Sequence, residues 1–278
     1  MLTLSNIKNF VKICVLLLIL LMQVANGAQN NLNNQNKNIA LFCAVDQNNL
    51  WLTDSLINSG ADINALNEQG NPALYVAIDH RNFAMVDLLV RKGADVNMAN
   101  QEEGKTILYK AVSTNNFEMA EFLINNRANV NLANRDGSTP LHAAFDGKTA
   151  DLLIKNGANV NARSNDGLTS LHYSNSGVAE VLIRNGAKVD ATTNKSRSTP
   201  LHIVASRGDA ETVKILIQNG ANVNALDNDG SAPLHYATSE VAEVLIKNGA
   251  KVNVRNKVGH LPLDNIKFRD DTVDICYQ

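Results

Sequence analysis

Two stretches decide how this chain is read: Ser138-Thr139-Pro140-Leu141-His142 and, a little further on, Asn156-Gly157-Ala158-Asn159-Val160-Asn161. The first returns as Ser198-Thr199-Pro200-Leu201-His202 and Ser231-Ala232-Pro233-Leu234-His235, with Leu168-Thr169-Ser170-Leu171-His172 as a close relative. The second returns as Asn219-Gly220-Ala221-Asn222-Val223-Asn224. Related copies begin at Gly60, Gly93, Gly186 and Gly249, and Arg127 replaces the Gly in one more. Those seven positions step by 33, 34, 30, 29, 34 and 29 residues. A period of that size marks an array of supersecondary units, each of which buries its apolar stripe only against its neighbours.

The residues explain the unit physically. Thr139 is a good helix N-cap, because its hydroxyl accepts from an otherwise unpaired backbone N–H. Pro140 then falls at the first helical position, where a missing N–H costs nothing and φ is preset. Leu141 starts the buried face, and His142 stands where a capping-box side chain reaches back to the cap. The second helix is exemplified by residues 210–219, in which Val213, Leu216 and Ile217 recur at the spacing of one apolar face. Gly220 ends it in the left-handed conformation that Gly adopts without a Cβ penalty. A hairpin follows in each unit, for example Val160 to Gly167, with Asn165-Asp166-Gly167 as its turn.

Two interlocked motifs in seven copies resemble the ankyrin repeat family, over about residues 38 to 278. The resemblance implies an all-α repeat solenoid, a stack of helix-turn-helix-hairpin units with about seven repeats and a partial C-terminal cap. The cap begins at His260-Leu261-Pro262-Leu263 and turns polar at Lys267-Phe268-Arg269-Asp270-Asp271. It also implies a protein partner, bound through hairpin tips and the exposed side of the first helices. The family's variable positions fall on Arg135, Asp136 and Ser138, on Asn165, Asp166 and Leu168, and on Asn228, Asp229 and Ser231. The residue after the motif His, or its substitute, projects from the first helix: Val76, Lys110, Ala143, Tyr173, Ile203 and Tyr236. Tyr173 and Tyr236 stand out as contacts, since Tyr offers large amphipathic area. The alternative is that they pack between shortened first helices. Trp51 is expected to cover the end of the array.

Departures from the pattern carry their own expectations. From the first-helix Leu to the stop Gly is 19 residues in Leu74–Gly93 and Leu201–Gly220, but 16 in Leu141–Gly157 and 15 in Leu171–Gly186 and Leu234–Gly249. Both flanking motifs survive, so about one helical turn is missing from the end of the first helix. Arg127 puts a helix stop in doubt, Arg197 stands where Gly is usual, and Tyr75 and Tyr109 replace the motif His.

The N-terminus differs in composition. Lys8 and Lys12 precede an apolar run from Ile13 to Met22, followed by small residues at Ala25 and Gly27. This is the pattern of a secretory signal peptide over residues 1–27, cut after Gly27, so the protein is expected to be secreted or periplasmic. An uncleaved anchor is the alternative, against which the run is short for a bilayer. Residues 28–37 read as a disordered Asn-rich tether, and 38–278 as the repeat domain. Cleavage removes two lysines and no acid, moving the formal charge from -2 to -4. Neither nucleic acid nor, once the signal is cut, a membrane is indicated as a partner. Cys43 and Cys276 belong to opposite ends of an array, too far apart for a disulfide. A monomer is expected, because stacking is satisfied internally.

Catalytic and metal chemistry finds no foothold in the motifs. His142, His172, His202 and His235 occupy the same slot in different repeats, too far apart to share one zinc. Carboxylates are dispersed, and no phosphate-binding loop or nucleophile elbow occurs. No cofactor and no enzymatic activity is expected. Asn194-Lys195-Ser196 matches a glycosylation acceptor, relevant to a eukaryotic source. The reading that results is an exported protein-binding module. It is similar to ankyrin proteins that host-associated bacteria direct at eukaryotic targets. The alternative is a periplasmic scaffold for the bacterium's own proteins.

Overall fold

A computed structural model describes residues 34–264. The expected signal segment, most of the tether, Cys276 and the polar end of the C-terminal cap lie outside the described residues. The chain divides into two compact units, Met1–Lys110 and Ala111–Gln278. The described residues are helical apart from turns and two isolated β-bridges, Leu66 with Pro72 and Ala99 with Thr106.

In the first unit, α1 (Asn34–Asp46) and α2 (Leu50–Asn58) pair, as do α3 (Ala73–Asp79) and α4 (Phe83–Arg91). Helix α1 stacks on α3, and α2 on α4. Residues 34–37, expected in the tether, are thus helical. Lys37 Nζ donates to the Ser59 carbonyl at 2.9 Å and the Asn38 side chain accepts from Asp62 N–H at 2.8 Å, which ties this helix start to the next turn. Cys43 on α1 is half-buried. Helix α5 (Ile107–Ser113) runs through the boundary of the two units.

The second unit shows two parallel rows. Second helices α6 (Phe117–Asn125), α7 (Gly147–Lys155), α9 (Ser176–Arg184), α11 (Ala210–Gln218) and α12 (Ser239–Lys247) pack each on the next. The other row holds a 3₁₀ turn (Pro140–Ala143), α8 (Ser170–Tyr173), α10 (Pro200–Arg207) and a second 3₁₀ turn (Pro233–Tyr236). The core lies between the rows and is aliphatic: Leu141, Leu153, Leu171, Leu182, Leu201, Leu216 and Leu234 are each no more than 1% exposed. Full burial of one such side chain stabilises by about 1.5–3 kcal/mol. On α11 the buried set is Ala210, Thr212, Val213, Ile215 and Leu216, and Ile217 is only half-buried. The apolar face is therefore rotated from the one its spacing predicts.

The missing turn is where the spacing puts it. First helices run seven or eight residues in α3, α5 and α10, but four in the two 3₁₀ turns and α8. After a long first helix one left-handed residue turns the chain: Asn48 (φ 54), Arg81 (φ 52), Asn115 (φ 53) or Gly208 (φ 76). After a short one the chain leaves extended instead, at Ala144, Ser174 and Ala237. Both routes converge on an Asn or Asp that caps the second helix, as when Asp146 accepts from Thr149 N–H at 2.8 Å and Asp209 from Thr212 N–H at 3.0 Å. Thr238 takes that place before α12 without a side-chain cap bond.

The second helices stop as expected. Gly157, Gly186, Gly220 and Gly249 have φ between 86° and 90°, and a Cβ there would meet nothing within 4 Å. The requirement for Gly is therefore backbone conformation rather than space. Arg127 adopts the same conformation at φ 71, so the stop survives with a strained residue in it. Arg197 does likewise at φ 56 in its hairpin.

Candidate functional site

The motif histidines form the frame behind the first-helix face. In each complete copy the backbone N–H of the N-cap donates to His Nδ1: Thr139 to His142 at 3.1 Å, Thr169 to His172 at 3.0 Å, Thr199 to His202 at 3.1 Å. The accepting Nδ1 leaves the proton on Nε2. That nitrogen points at a carbonyl of the following repeat: Leu168 O at 3.2 Å, Ser198 O at 3.3 Å and Ser231 O at 3.1 Å. The capping role read from the sequence is present, and the bond to the next repeat is an addition that the local motif does not reveal. Burial lowers the pKa of all three, and that of His172 falls to about 4. In the last copy Ala232 has no hydroxyl, and His235 Nε2 finds no partner among the described residues.

On this frame stand the two tyrosines. Tyr173 is 47% exposed and meets the His142 ring edge-on at 6.3 Å, while Tyr236 is 40% exposed and meets His202 at 6.1 Å. Each ring is thus part-exposed and part-packed against the histidine of the preceding first helix. The Tyr236 hydroxyl donates to Asp227 Oδ2 at 2.6 Å. Burial, and secondarily the Asp227 carboxylate, push its pKa up. Phe145 is a surface aromatic that the motif positions do not select: it is 70% exposed just after the first short turn. The carbonyls freed by the short helices are closed from the next repeat. Asn175 Nδ2 donates to Phe145 O at 2.7 Å, and Arg207 donates to Tyr173 O at 3.0 Å and Ser174 O at 2.8 Å. Ile203 on α10 is half-buried.

The hairpin tips divide into surface and structure. Arg135, Asp136, Asp166 and Asp229 are exposed, and Leu168 is half-buried. Ser138 and Ser231 are only 8% and 3% exposed, so these two predicted contacts belong to the interior. Each is the residue whose N–H and carbonyl close its hairpin. Asn165 and Asn228 are exposed yet occupied. Asn165 Nδ2 donates to Arg135 O at 2.9 Å, and Asn228 Nδ2 donates to Lys195 O. Backbone bonds run parallel to them, Asn165 N–H to Asp136 O at 2.8 Å and Asn228 N–H to Ser196 O at 2.8 Å. Asn194 extends the same ladder with Nδ2 on Asn165 O at 2.9 Å, which engages the side chain of the glycosylation triplet. In the first unit Lys110 is bound to Asp79 at 2.7 Å and lies 5.4 Å from the Tyr75 ring centroid, so it is bound to its own unit. Trp51, expected to cover the end of the array, is 77% exposed.

A second ladder went unread in the sequence. The last Asn of the second motif bridges to the next copy: Asn161 Nδ2 donates to Gly186 O at 3.0 Å and its Oδ1 accepts from Lys188 N–H at 2.8 Å. Asn131 and Asn224 repeat the arrangement. Asp190 keeps only the accepting half, from Asn222 N–H at 3.1 Å. The recurrence of Asn at that position was the available signal.

Among the described residues no group of three or more His, Cys, Asp or Glu is placed to hold a metal ion, and no helix is long and apolar enough to cross a membrane. Comparison with known proteins agrees with the geometry. The family model for ankyrin repeats, in three copies, matches residues 8–100, 92–164, 130–193 and 170–256. The chain belongs to the ankyrin repeat family. Its fold is similar to that of the human ASB11 ankyrin repeat domain, seen in a crystal structure. The TM-score is 0.64 at 23% identity, over 76% of this chain and 98% of that one. No curated protein matches. Ankyrin repeats are in general protein-interaction modules, and the family is a binding scaffold rather than a catalytic one.

Proposed function

We propose that this protein is an exported binding module that holds a partner protein and catalyses no reaction. In this reading residues 1–27 are a signal peptide cut after Gly27, and the mature chain works outside the cytoplasm. The partner lies on the first-helix face of the second unit, over Tyr173, Tyr236 and Phe145, with Arg135, Asp136, Asp166 and Asp229 at its polar rim.

The observation that carries this is the half-exposed pair Tyr173 and Tyr236, each fixed by a histidine edge beneath it. Aromatic side chains that are already immobilised lose little entropy on binding, which is what anchors an interface.

The test pairs processing with capture. The N-terminus of protein recovered from outside the cytoplasm should be Ala28; a retained Met1 would end the cleavage proposal. Wild type and a folded Tyr173→Ala/Phe145→Ala variant are then used to capture proteins from the compartment where the chain is found. A partner kept by wild type and lost by the variant supports this face, and equal retention moves the interface elsewhere.

A further inference from the structure

The first unit contains a groove of about 730 Å³ between the faces of α1 and α3 and the hairpin that joins their repeats. This volume is in the range of pockets that enclose a few side chains. Its apolar lining includes Phe42, Tyr75 and Val76, and its acidic lining is Asp46, Glu68 and Asp79. No Lys or Arg lines it.

One of these carboxylates already has a cation, and two other lysines of the unit are engaged outside the groove. Lys110 neutralises Asp79 at 2.7 Å, Lys105 pairs with Glu103 at 2.7 Å, and Lys37 Nζ is used on the Ser59 carbonyl at 2.9 Å. Among the described residues no salt bridge reaches Asp46 or Glu68. Burial raises the Asp46 pKa, with His80 acting in the opposite direction. Asp46 is exposed on one side and stands beside an apolar wall, where an incoming cation would stabilise its charged form.

We propose that this groove receives an extended cationic peptide segment, laying an apolar side chain against Phe42 and Val76 and a Lys or Arg side chain toward Asp46 and Glu68. A polyanion or an acidic peptide is disfavoured by the carboxylates of Asp46 and Glu68. The inference rests on the reading of the chain as a protein-binding module and assigns the first unit a separate partner chemistry.

The experiment is to pan phage-displayed random peptides against the immobilised full chain, then measure the recovered sequences as labelled synthetic peptides. Cys43, which lines the groove, reports the place of binding through its protection from alkylation, read by mass spectrometry. The expected result is Lys- or Arg-containing peptides with an adjacent apolar residue that protect Cys43. They should lose about tenfold or more in affinity against Asp46→Asn/Glu68→Gln. An Asp87→Asn/Glu118→Gln variant removes the same charge elsewhere and should bind as wild type does. Peptides that are neutral or acidic, that leave Cys43 unprotected, or that bind the Asp46→Asn/Glu68→Gln variant undiminished would overturn the groove assignment while the protein-binding reading stands. Recovery of no peptide would also overturn it, and the capture experiment on the second unit would then decide the broader reading separately.

Discussion

Replacing His172 with Gln should flatten the acid sensitivity of the array. The imidazole is fully buried, accepts from Thr169 N–H at 3.0 Å, and reaches Ser198 O of the next repeat at 3.3 Å. The bond from Thr169 N–H requires the neutral ring, because protonation at Nδ1 would set a donor against a donor, whereas Nε2–H donates to Ser198 O in either state. The pKa falls from 6.5 to about 4 on folding, chiefly through burial. For a base whose folded pKa is depressed, the unfolded state binds the proton first. The stability that the neutral ring contributes is therefore complete above pH 6.5 and is lost as pH falls from there toward 4. Between pH 7.5 and 5 the linkage amounts to about 2 kcal/mol for this group alone. His142 and His202, whose pKa values are shifted in the same direction, add to the slope. Gln can accept from the Thr169 N–H and donate onward, and it does not titrate. Urea denaturation of wild type and His172→Gln at the two pH values measures the difference. Wild-type stability that is unchanged between pH 7.5 and 5 would refute the linkage, as would a slope that survives the substitution undiminished.

The other predictions concern the ladders and caps. Asn161→Ala should cost about 0.5–1.5 kcal/mol by removing two exposed bonds between repeats, to Gly186 O and from Lys188 N–H, and Asp190→Asn should gain about 0.5–1 kcal/mol by supplying Gly220 O with a donor. Both are read from urea midpoints at constant m-value. Ala232→Thr should stabilise by about 0.5–1.5 kcal/mol by supplying the hydroxyl that Thr139, Thr169 and Thr199 place at 3.0, 2.9 and 2.8 Å from the motif His Nδ1, checked by thermal unfolding. Ser170→Pro should stabilise by about 0.4–1 kcal/mol. Its hydroxyl is buried without a partner among the described residues, its position is the first of α8, and Thr169 already has the extended backbone that a following Pro requires. A loss of stability in calorimetry would show that the Ser170 N–H is in use.

Much of this protein is determined by the sequence alone, because its information is local and repeated. A capping Thr, a Pro at the first helical position and a Gly beyond the last each act within a few residues, so Thr139, Pro140 and Gly157 can be read without their neighbours. The missing turn of the short first helices was a matter of counting between such landmarks. Tertiary structure decided whatever depends on the next copy in the stack. Asn161 and Asn165 look like turn residues in the sequence, and only stacking turns their amides toward Gly186 O and Arg135 O. Ser138 and Ser231 occupy positions that the hairpin pattern places at the surface, yet both are buried, each bonded to the start of its own hairpin. Lys110 reads as a projecting charge until Asp79 is found 2.7 Å away. Pairings between residues some thirty positions apart depend on stacking geometry, and one repeat's sequence does not contain that geometry.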